Sequence, residues 1–100
     1  MVTVTLKFNE EKLKNLGRIV DEMLEPIRES MKSYDVEEVE QGVFQKTGRD
    51  GLVVLDCTLD YMDDHPEYLD YLDDWLLDID GEIEDCKAEL ISYNKEHGRS

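Results

Sequence analysis

Carboxylates dominate the side chains of this sequence that could do chemistry, and the first question is whether they hold a metal. In the stretch 76–89, LLDIDGEIEDCKAE, Asp78 and Asp80 alternate ahead of Gly81 and Ile83, as carboxylates, glycine and isoleucine do in a calcium-binding loop. Aligned on Gly81, such a loop needs an oxygen ligand at its first position and a bidentate glutamate at its twelfth, and here those positions are Leu76 and Lys87. The calcium reading fails at both ends, so no metal site is expected. His65 and His97 stand far apart in the chain, and Cys57 and Cys86 lack a CxxC spacing. The cysteines read as small buried hydrophobes rather than as ligands or a disulfide. The sequence holds no glycine-rich phosphate loop, no nucleophile elbow and no basic patch with interleaved aromatics, which predicts no catalytic residues and no cofactor. A small metal-dependent enzyme, the rival reading, needs His65 and several aspartates to converge in a concave pocket.

What remains is the acid itself. The formal net charge is −15: residues 1–50 carry 11 acids against 8 Lys or Arg, for −3, and residues 51–100 carry 15 against 3, for −12. Between Gly51 and Cys86 there is no lysine or arginine. Helices that need only solubility interleave the two signs, because Glu and Lys four residues apart stabilise one another. Uninterrupted like charge costs stability, so a cationic partner is the economical explanation. A basic nucleic-acid-binding protein is such a partner, whereas direct binding to nucleic acid is disfavoured by the sign of the charge. From Glu67 to Asp85 nine acids fall in 18 steps. On one helix that is about 27 Å, or about one charge per 3 Å, near the ~3.4 Å per phosphate along one DNA strand. The expected contact residues are Asp56, Asp60, Asp63, Asp64, Glu67, Asp70, Asp73, Asp74 and Asp78, with Tyr71 and Leu77 as apolar anchors among them. Tyr68 and Trp75, at the border of the apolar seam, read as core.

These side chains must be placed by a fold that the hydrophobic rhythm predicts. Residues 2–8, VTVTLKF, alternate as a half-buried strand, and Asn9 with Glu10 and Glu11 opens a helix. Leu13, Leu16, Val20, Met23, Ile27 and Met31 carry that helix through Pro26, which should kink it. Residues 34–46 read as extended with a bulge at Gly42, and TGRDG at 47–51 as a turn. LVVLDCTLDYM at 52–62 then reads as the central strand, with Val53, Leu55, Cys57, Leu59 and Tyr61 on one face. From Glu67 onward Leu69, Leu72, Leu76, Ile79, Ile83, Cys86, Leu90 and Tyr93 fall at three-and-four spacing, which predicts one long amphipathic helix ending near Gly98. The expected fold is α+β: a two-layer βαββα domain over residues 1–100, with a three-stranded antiparallel sheet in order 1-3-2 and two helices on one face. One hundred residues suffice for a single modest core.

A small, strongly acidic domain without catalytic residues resembles the phage-encoded inhibitors of DNA-acting defence enzymes, the anti-CRISPR and anti-restriction proteins. The likeness is one of size, charge and layout across the whole chain. It implies a non-enzymatic inhibitor that presents carboxylates where a nuclease or effector complex expects phosphates, acting in the cytoplasm of the host cell. An immunity protein or antitoxin covering a basic toxin is the alternative. No apolar run is long enough to span a membrane and no membrane partner is expected. A monomer is expected in preference to a homodimer formed through the seam's end at Leu90 and Tyr93.

Overall fold

The alternation of the first residues builds a strand: Val2–Phe8 form β1, with Val2, Val4, Leu6 and Phe8 buried and Lys7 exposed. The computed structural model describes residues 1–96, apart from the side chain of Asn94, so that His97 and the helix end expected near Gly98 lie outside the described residues. Asn9 caps as its type and place predict, its Oδ1 accepting from the Lys12 N–H at 3.0 Å, and opens helix α1, Glu10–Asn15.

That helix does not run on to Met31. Gly17 adopts φ +71°, a left-handed conformation that costs other residues about 1–2 kcal/mol, and the chain re-enters helix only as α2, Val20–Met31. The break turns Leu16 and Ile19 outward, 52% and 61% exposed, although the rhythm assigned Leu16 to the core. Helix α2 continues through Pro26 and buries Met23, Leu24, Ile27 and Met31, and a 3₁₀ turn, Lys32–Tyr34, follows it. The extended segment is itself a hairpin, β2 Glu37–Glu40 and β3 Val43–Lys46. Gly42, expected as a bulge, lies in its turn; the register shift falls in β2, between Glu38 and Glu40.

The largest correction concerns residues 53–64, which form helix α3, Val53–Asp64, and not the central strand. Val54, Cys57, Thr58 and Met62 are buried at helical spacing, and the Thr58 hydroxyl is satisfied by donating to the Leu55 carbonyl at 2.8 Å. The alternation of Val53, Leu55, Cys57, Leu59 and Tyr61 is also real. Helix α3 touches β1 and β3 on one side and α2 on another, so apolar residues are needed round much of its circumference and a strand-like pattern results.

The long helix expected from Glu67 is likewise replaced. Only α4, Tyr68–Tyr71, and α5, Cys86–Glu96, are helical; between them run β4, Leu72–Ile79, and β5, Glu82–Asp85. The two strands are joined at Asp80 and Gly81, with φ +51° and +96°. Positive φ at both positions defines the two-residue hairpin turn in which Asp-Gly is a preferred pair, so Gly81 shapes a turn where it would only have weakened a helix. Period two therefore prevails: Leu77 and Trp75 pair with Val4 and Leu6 and are buried, while Asp74, Leu76 and Asp78 alternate with them. Ile83, expected on the buried seam, is 65% exposed.

The five strands form one antiparallel sheet in order β2-β3-β1-β4-β5, with β1 at the centre. The fold is α+β, as expected, but the three-stranded sheet of order 1-3-2 under two helices does not occur. Residues of α2, α3 and α5 join the inward residues of β1, β3 and β4 in one apolar cluster. The edge strands read EEVE and EIED, and rows of carboxylates on edges oppose pairing with another sheet. Part of the acid thus has a local structural use. No described helix is long and apolar enough to cross a membrane.

Candidate partner-binding surface

Helical spacing of 4, 3 and 1 places Asp56, Asp60, Asp63 and Asp64 along the exposed side of α3. Eight steps of helix span about 12 Å, so these four carboxylates keep roughly the axial density of one DNA strand over a short track. The longer track expected from Glu67 to Asp85 does not exist, because its helix does not. Among the described residues Asp56, Asp60 and Asp64 form no ion pair. Asp63 and Asp64 moreover end the helix, and its last turn holds no basic residue. Negative charge there opposes the helix dipole, which favours cations at a C-terminus.

The remaining expected contact residues separate. Glu67, Asp70 and Asp73 are exposed at the corner after α3; Asp73 accepts from Asn9 Nδ2 at 3.1 Å and Lys12 Nζ donates to the Asp70 carbonyl at 2.9 Å. Tyr71 is half-buried beside Lys12 and Leu16 and packs against the core. Asp74, opposite Lys7, and Asp78, which accepts from the Gly81 N–H at 2.8 Å, alternate with the buried Trp75 and Leu77 and so point from the other face of the sheet. Leu77 is 3% exposed and serves the core, which corrects its expected place as an outward anchor. The structure therefore joins the four α3 aspartates, sets Glu67 and Asp70 at the corner that follows them and Asp73 at the start of β4, and leaves Asp74 and Asp78 on the other face of the sheet.

Sequence reasoning missed a groove beside this row. Leu55 and Leu59 of α3 form one wall, Cys86, Leu90 and Tyr93 of α5 the other, and Leu77 the floor, with Glu84 and Glu89 at the rim, around about 290 Å³. The three-and-four spacing of residues 54–62 was the signal that could have revealed it. Burial pushes the Cys86 thiol up to about 11, aided by Glu89, Glu84 and Asp85, and burial likewise raises Cys57. Neither thiol is an activated nucleophile.

At the end of α3, Tyr61 stacks on His65 with ring centroids 4.4 Å apart, and its hydroxyl donates to that of Tyr68 at 2.9 Å. The Tyr68 hydroxyl in turn donates to the Met23 carbonyl, and burial drives its pKa far above the ordinary phenol value. This cluster pins the α3–α4 corner to α2. His65 has Glu67 at 3.5 Å, but among the described residues no three His, Cys, Asp or Glu side chains converge as metal ligands do. A second hollow, about 380 Å³ between α1 and α2, is bordered by Glu10, Lys14, Arg18 and the exposed Ile19, so that cations outnumber acids there. No protein-family model, curated protein or solved structure matches this chain.

Proposed function

We propose that this protein is a non-enzymatic inhibitor whose α3 face occupies the positively charged nucleic-acid site of a DNA- or RNA-processing protein, a nuclease or effector complex of a host defence system. The observation that carries the reading is the row Asp56, Asp60, Asp63 and Asp64, exposed on one helix in a stretch without lysine or arginine, its last two members set against that helix's own dipole. An arrangement unfavourable in the free protein becomes favourable beside cations supplied from outside. Inhibition is by competition with nucleic acid, as in anti-CRISPR and other DNA-mimic proteins, and takes place in the cytoplasm. The binding protein acts as a monomer and needs neither cofactor nor metal.

The test is capture from a host lysate at low salt with wild type and with the triple variant Asp56→Lys/Asp60→Lys/Asp64→Lys, both checked for folding by circular dichroism. Wild type is expected to retain a basic nucleic-acid-binding protein that added DNA or RNA displaces and that higher salt releases. If both baits retain the same proteins, or nucleic acid displaces nothing, the α3 row is a solvated surface and the reading is wrong.

A further inference from the structure

The groove beside the acidic row gives the partner a shape as well as a sign. Leu55 and Leu59 stand one helical turn apart on α3, and Cys86, Leu90 and Tyr93 repeat that spacing on α5, so the trough runs between two helical ridges. Its volume of about 290 Å³ lies just below the ~300–1,000 Å³ of small-molecule sites and matches a few aliphatic side chains. Among the described residues, no lysine or arginine lines it. The nearest cation in sequence, Lys87, turns its Nζ to the Leu72 carbonyl instead. Glu84 and Glu89 make one border acidic, and on α3 the exposed Asp56 and Asp60 each stand one position beyond a lining leucine, outside the groove itself.

We propose that this groove docks one basic amphipathic helix of the partner, whose aliphatic side chains at i and i+4 rest on Leu55, Leu59, Leu77 and Leu90 while flanking Lys or Arg residues meet Glu84 and Glu89 on one side and Asp56 and Asp60 on the other. The inference rests on the reading of α3 as the partner-binding face and adds the apolar contact that fixes register on it. A ridge of that spacing is what a trough between two helices accepts, and apolar anchors supply the affinity that exposed charge pairs lack. A second copy of this chain is the poorer occupant, because it would bring a net charge of −15 against another −15.

The probe is a designed Leu/Lys amphipathic helical peptide, with an Ala/Lys control of equal length and charge. Titration into the wild-type protein is followed by methyl and amide NMR shifts. The Leu/Lys peptide is expected to bind one-to-one, about tenfold or more tighter than the control, with methyl shifts at Leu55, Leu59, Leu77 and Leu90. Leu90→Ser should bring it down to the control's affinity, and the wild-type shift map stands on its own should that variant fold poorly. Equal affinity of the two peptides, with shifts confined to the aspartates of α3, overturns the groove and leaves the electrostatic reading standing. Shifts centred on Leu16 and Ile19 overturn it as well. The same methyl shifts on concentrating the protein alone assign the groove to a second copy. Failure of both peptides to bind at low salt removes both readings.

Discussion

Helices α2 and α3 are each 12 residues long, each carries four acids, and they pack against one another, yet they treat charge in opposite ways. In α2 three of the four acids are answered from within the protein. Arg28 reaches Asp21 at 3.0 Å, Glu25 at 2.8 Å and Glu38 of β2 at 2.6 Å, while Lys32 pairs with Glu29 at 2.8 Å. Asp21 and Glu22 also occupy the first turn and Arg28 the last, so the ionic order follows the helix dipole. In α3 four aspartates have no basic residue on their helix, and two of them sit where the dipole disfavours anions. Burial does not distinguish the helices, since each sends several residues into the same core. The difference shows that an acidic helix is readily stabilised in this fold by basic residues near it, so the absence of Lys and Arg from α3 is not a requirement of folding.

The most severe way to break the comparison is to attack what the two helices share. Ile27 of α2 and Val54 of α3 are both fully buried, and an unpaired aspartate at either place costs several kcal/mol out of the roughly 5–15 available to a domain. Ile27→Asp and Val54→Asp should each abolish the native circular dichroism and the fluorescence signature of the single, buried Trp75. Leu55→Asp, at the half-buried groove wall, should remain folded. A folded Val54→Asp beside an unfolded Leu55→Asp would return residues 53–64 to the strand that their alternation suggests.

That alternation shows where the sequence is legible and where it is not. β1 and its Asn9 cap can be read because neighbouring residues alone decide them: one face of the strand is wet, and the cap bonds three residues on. Helix α3 is misread because it is apolar on several sides, which erases the single stripe that marks a helix. β4 is misread for the converse reason. Leu69, Leu72, Leu76 and Ile79 happen to keep a helical rhythm from α4 into a strand whose true inward residues are Leu72, Trp75 and Leu77, and only the Asp80-Gly81 turn reveals the reversal. The acid of the candidate surface is visible in composition. Its division among α3, the corner and the far face of the sheet follows from long-range pairing of β4 with β1, which no local pattern specifies.

A smaller perturbation targets the neutralised side alone. Arg28→Ala leaves the partly buried Glu38 without its cation and should cost about 2 kcal/mol at neutral pH, read as a lower urea midpoint. Asp60→Ala on α3 should change that midpoint little. The pH dependence follows from Glu38, which burial pushes up but which its bonds to Arg28 and to the Gly42 N–H together bring below the ordinary glutamate range. Asp21 is also lowered, by its bonds from Gln41 and then Arg28. A carboxylate held low contributes stability that is complete above its ordinary pKa of about 4 and lost as pH falls through the lower folded value. Wild type should therefore lose more stability between about pH 4 and pH 2 than Arg28→Ala does. Equal acid sensitivity of the two proteins would show that the Arg28 cluster contributes nothing measurable.

The smallest effect is the sharpest in sign. Glu22→Lys places a cation in the first turn of α2 and Asp64→Lys places one at the end of α3, so identical changes of charge meet opposite ends of the helix dipole. Both relieve net negative charge equally, and a purely global repulsion would therefore raise the melting temperature of both. The dipole adds a local term that opposes the first substitution and reinforces the second. Asp64→Lys is expected to raise the melting temperature by about 4 °C at low salt, with Glu22→Lys neutral or lower, and the gap between them should shrink as salt is added. Asp64→Lys should at the same time weaken capture of the partner, whereas Glu22→Lys should not. Gain of stability and loss of binding in one exposed residue is the signature of charge kept for a partner; if Asp64→Lys stabilises and binding is untouched, the end of α3 lies outside the interface.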